Sequence, residues 1–63
     1  MTNNEAVSYA TEIKEVAVEY LRERTDLSRQ QRQQLSEIAM ADAGRVITAD
    51  RIIATWNATG LTY

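Results

Sequence analysis

Cysteine, histidine, proline and phenylalanine are all missing from the 63 residues. Without cysteine there is no disulfide framework and no sign of an oxidising compartment. Without cysteine and histidine together, a structural zinc site is out of reach. Histidine is also the usual proton carrier near neutral pH, and cysteine the usual soft nucleophile, so both common routes to catalysis are closed. Ser8, Ser28 and Ser36 lie in no glycine-flanked elbow and have no histidine to activate them. The two glycines, Gly44 and Gly60, are isolated and cannot form a phosphate-cradling loop. The chain is therefore expected not to be an enzyme, and to hold no cofactor and no metal.

Net charge is small as well. Seven Lys/Arg against nine Asp/Glu leave a net charge of −2. That is the wrong sign for generic nucleic-acid binding and too weak for a DNA mimic. No stretch approaches the ~20 apolar residues that span a bilayer. The start, MTNNEAVSYATEIKE, has no basic region followed by an apolar run, as a signal peptide would. A soluble, cytoplasmic protein is the expectation. The length suits one domain over 1–63, near the lower limit for burying a core unaided. Domains this small are commonly held by disulfides, metals or partners, and the first two are excluded. Association is what remains, with a second copy as the simplest case.

What is present reads as an all-α, three-helix domain: a long first helix, a second helix and a short third. Ala6, Tyr9, Ala10, Ile13, Val16, Ala17, Tyr20 and Leu21 recur at intervals of three and four, one face of a helix over 3–24. Thr2 and Glu5 have capping-box spacing, with Asn3 or Asn4 as rival caps. Val7 and Val18 widen the apolar stripe, and Ser8, Glu12, Glu15, Glu19 and Glu23 form the opposite face. Thr25-Asp26-Leu27 breaks the pattern. Ser28 and Gln31 form a second capping-box candidate for a helix over 28–43, which Gly44 would end in the left-handed conformation. Arg45-Val46-Ile47 reads as extended. Thr48 is a fair N-cap for a third helix over 48–59, closed by Gly60 with Leu61 packing back on Trp56. The predicted core is Ile13, Val16, Leu21, Leu35, Ile38, Ile52, Ile53 and Trp56. Nine alanines imply close-packed helix axes.

The carboxylates of the first helix make a solvated stripe, with Lys14 and Arg22 nearby. Gly44 aligned with the glycine of a calcium loop puts Ala39, Ala41 and Ala43 where Asp or Asn must stand, so that site is rejected.

The leading expectation is a small regulatory or adaptor protein working through protein–protein contacts as a homodimer. Its candidate partner-binding residues are Val7, Val18, Glu15, Glu19, Arg29 and Arg32. A first helix about 30 Å long, at 1.5 Å per residue, offers more apolar surface than two shorter helices obviously cover. Arg29 and Arg32 sit in the first turn of the second helix, where the helix dipole disfavours cations; an anion facing them would explain it. The alternative is a DNA-binding regulator. Leu35, Ile38 and Ala39, then a glycine, then Ile52, Trp56 and Gly60 resemble the helix-turn-helix of small phage-type repressors. That resemblance covers 34–61, with Gly44 one position later than the pattern asks. It implies Thr48, Arg51, Thr55 and Asn57 as base readers, with Arg29 and Arg32 on phosphate. GRVITADRI also resembles the loop and last helix of histone folds, which implies pairing between two chains.

Overall fold

A computed structural model describes residues 3–62 of the chain. It contains three helices, α1 over Asn3–Glu23, α2 over Arg29–Met40 and α3 over Val46–Thr59. They pack pairwise around one core in a body of 34 × 19 × 17 Å. Among the described residues no helix is long and apolar enough to cross a membrane.

The core is built on period. On α1 the buried residues are Ala6, Ala10, Ile13 and Ala17, spaced four, three and four. On α3 they are Ala49, Ile52, Trp56 and Thr59, spaced three, four and three. Leu35 and Ile38 complete the interior from α2, with Leu27 from the first loop and Ala43 from the second. Side chains at those spacings share one helix face. The alanines let α1 approach its neighbours closely, which changes where bulk fits. Val16, Leu21 and Ile53, expected inside, pack half-buried at the edge of a centre filled by Ile13, Leu35, Ile38, Ile52 and Trp56. Tyr20 lies against Trp56 with ring centroids 6.1 Å apart.

The first junction is close to its sequence reading. Ser28 Oγ accepts from the Gln31 amide at 3.0 Å, and Gln31 Oε1 accepts from the Ser28 amide at 2.9 Å. The α2 capping box is therefore complete. The Thr2–Glu5 box cannot be placed, because Thr2 lies outside the described residues.

The second junction differs. α2 stops at Met40, three residues before the expected end, and Gly44 has no positive φ. What ends α2 is tertiary. Ala41 is extended, and its carbonyl accepts from Lys14 Nζ on α1 at 2.6 Å while Ala43 turns into the core. Asp42 Oδ1 then accepts from the Gly44 amide at 2.9 Å, turning the chain. α3 begins at Val46, and Arg45 caps it without any side-chain bond. Arg45 is extended as expected, but helix replaces the expected extended Val46-Ile47 and the Thr48 cap. A side-chain cap is worth about 1 kcal/mol. Starting earlier seats Ala49 fully in the core and closes the Ala49 N–H to Arg45 carbonyl bond at 2.7 Å, which outweighs that cap.

The third helix closes at Gly60, in the left-handed conformation with φ of 72°. Its amide donates to the Asn57 carbonyl. Buried Thr59 adds a relay: its Oγ donates to the Trp56 carbonyl at 2.6 Å and accepts from the Leu61 amide at 3.1 Å. Leu61 packs against the core, and Tyr20 Oη donates to the Thr62 carbonyl at 2.6 Å.

Candidate functional site

Most of the large apolar side chains are inside or against the core. Among the described residues three are exposed: Val18 at 40%, Ile47 at 85% and Met40 at 87% of their full surface. The last two lie together. They flank a cleft of about 450 Å³ between α2 and α3, floored by Ile38 and Ile52. The helix boundaries explain the exposure. At about 100° per residue, a helix starting at Val46 that buries Ala49, Ile52 and Trp56 carries Ile47 to its far side. Met40 ends α2 just as the chain leaves for Ala43. The rim also carries one charge from each helix, Glu37 and Arg51. Among the described residues neither has an ion pair within the chain, the two pairs being Arg24–Asp26 and Asp42–Arg45.

A second groove, about 540 Å³, runs between α1 and the second loop. It brings Glu15 and Val18 together beside Lys14, Asp42 and Gly44. Of the α1 residues expected to meet a partner, these two share a site. Glu19 is exposed nearby on the same helix, and Val7 is turned inward against the core.

The two arginines of α2 part company. Arg29 is exposed, whereas Arg32 is half-buried and donates from Nη2 to the Arg24 carbonyl at 3.0 Å. That carbonyl lies just past the C-terminal end of α1, the negative end of its dipole. The cation misplaced on its own helix is well placed on the preceding one. Arg24 itself stacks over the Tyr20 ring at 4.8 Å and pairs with Asp26 at 2.6 Å. The hydrogen bond from Arg24 holds the Asp26 carboxyl below the usual carboxylate value.

Of the four residues suggested as DNA readers, Thr48, Arg51 and Thr55 line the α2–α3 cleft at a spacing of three and four. Asn57 is exposed on another side of α3. Sequence reasoning missed Glu37, Met40 and Ile47. The available signal was the three-four-three run of Ala49, Ile52, Trp56 and Thr59, which leaves Ile47 outside the buried stripe once α3 begins at Val46. Among the described residues no three acidic groups converge as metal ligands, and no buried side-chain polar atom lacks a partner.

The fold and the cleft define a small all-α protein with an exposed interhelical surface. Compared with family models, curated proteins and solved structures, the chain matches none of them.

Proposed function

We propose that this is a non-enzymatic regulatory or adaptor protein of the cytoplasm that acts through protein–protein contacts of its helical surfaces, as a homodimer. One observation carries the reading: Met40 and Ile47, each more than four-fifths exposed, both line one interhelical cleft. Exposing two large apolar side chains together on so small a surface costs solubility unless another surface covers them. Truncated chemistry points the same way, since the chain has neither His nor Cys. This reading favours the α2–α3 face over the surface the sequence suggested, the first helix with Arg29 and Arg32 beside it.

Photo-crosslinking in cells tests this. A photoreactive residue at Ile47 should give polypeptide adducts, and one at Glu12, on the exposed acidic face of α1, should not. Adducts from Val18 or Glu15 alone would return the surface to α1. No polypeptide adduct from any of these positions would overturn the reading.

A second reading is a DNA-binding regulator with α3 in the groove. The alignment of Thr48, Arg51 and Thr55 on one stripe favours it. Against it stand the net charge of −2 and Glu37 on the same rim. A gel-shift at about 50 mM salt, where phosphate contacts are strongest, decides it. A shift lost on Arg51→Ala supports DNA; no shift removes the reading.

A further inference from the structure

We propose that the occupant of the α2–α3 cleft is the same face of a second copy, docked about a two-fold axis so that Glu37 of each chain pairs with Arg51 of the other. The inference rests on the interaction reading above and names the partner and register of that surface. A two-fold interface needs a patch that is its own complement, in which residue i meets j and j meets i. This patch has that composition. Met40 and Ile47 supply apolar bulk from one helix each, and Glu37 and Arg51 supply one charge of each sign from the same two helices. Glu37 and Met40 are three residues apart on α2, and Ile47 and Arg51 four apart on α3, so each helix presents an apolar residue and a charge along one side. Among the described residues neither Glu37 nor Arg51 is in an ion pair within the chain, so both charges are available to a partner. Rotating the patch by half a turn onto itself sets acid against base twice, whereas an unrelated acidic or basic partner would satisfy one charge and repel the other. Two apolar pairs at the centre and two ion pairs at the rim form the usual anatomy of a specific interface.

Charge exchange gives the test, read by sedimentation equilibrium. Glu37→Arg alone sets arginine against arginine twice, and Arg51→Glu alone sets acid against acid twice. Each should weaken self-association by roughly tenfold, the summed effect of two rim pairs changed from attraction to repulsion. The double variant Glu37→Arg/Arg51→Glu should restore it. An equimolar mixture of the two single variants should pair with each other in preference to themselves, since that combination sets acid against base at both contacts. Both sites are exposed and outside the core, and far-UV circular dichroism checks that each variant is folded. A wild-type dimer indifferent to these exchanges overturns the proposed register and leaves self-association through another face standing. A wild-type monomer overturns the proposal and the homodimer together. Ile47 crosslinks to a different protein would then preserve the adaptor reading alone.

Discussion

Gln31 and Thr59, 28 residues apart in sequence, are joined by a hydrogen bond of 3.2 Å from the Gln31 side-chain amide to the Thr59 carbonyl. The other end of that amide, Oε1, accepts from the Ser28 backbone. One side chain thus closes the N-terminus of α2 and ties it to the C-terminus of α3.

Replacing Gln31 separates the two roles. Gln31→Ala loses both and should cost about 1–2 kcal/mol in urea unfolding, a cap plus one tertiary hydrogen bond. Gln31→Glu keeps the acceptor for Ser28 but has no N–H for Thr59, so its loss should be intermediate. Equal losses for the two variants would show that the cap contributes nothing.

The two glycines should respond oppositely. Gly60 has φ of 72° and open space around an added Cβ, so Gly60→Ala meets only backbone strain, about 1–2 kcal/mol. Gly44 has no such φ, and an added Cβ would meet only Asp42 Oδ1 at 3.2 Å. That is the end of a flexible side chain, and Gly44→Ala should change stability by no more than about 0.5 kcal/mol. A Gly44→Ala loss equal to that of Gly60→Ala would restore the left-handed helix end that the sequence suggested at Gly44.

Acid should reveal the Arg24–Asp26 pair. Its hydrogen bonds, 2.6 and 3.0 Å, hold the folded carboxyl below its ordinary value of 3.8. A lowered folded pKa stabilises the fold above the unfolded value and loses that contribution as pH falls through the folded one. Asp26 is exposed and Arg24 only half-buried, so the effect on stability is small and the readout is the titration itself. In an NMR titration Asp26 should protonate below the ordinary carboxylate value, and Arg24→Gln should move it up towards that value, leaving only the smaller backbone and Arg32 contributions. An unchanged Asp26 titration in that variant would refute the pairing.

Ala10 tests the close helix packing. It is fully buried on α1, so Ala10→Leu should overpack the centre and cost about 1–3 kcal/mol by urea unfolding. Exposed Ala54 on α3 is the control, and Ala54→Leu should be nearly neutral. A neutral Ala10→Leu would mean the helices stand further apart than their alanines imply.

Local signals carried much of the fold. The three-and-four spacing from Ala6 to Leu21 marked α1, and the Ser28–Gln31 box and Gly60 marked two helix ends, because each depends on neighbours within a turn or two. The second junction was illegible for the opposite reason. α2 ends at Met40 because Lys14, 27 residues away, binds the Ala41 carbonyl. α3 starts at Val46 because Ala49 has a place in the core, and no cap motif announces it. That junction also sets the candidate site. With Arg45-Val46-Ile47 taken as extended, neither the outward turn of Ile47 nor the cleft it shares with Met40 could be seen. Arg29 and Arg32 looked equivalent in sequence; only the fold brings one of them to the end of α1.

Sedimentation equilibrium of the wild type beside Met40→Gln/Ile47→Gln tests the central claim most directly. Both side chains are exposed and outside the core, so the variant should fold as the wild type does. The wild type should sediment at twice the 7.1 kDa chain mass, and the variant at the single-chain mass. A single-chain mass for the wild type at every concentration, or a two-chain mass that survives both substitutions, would contradict an α2–α3 dimer surface.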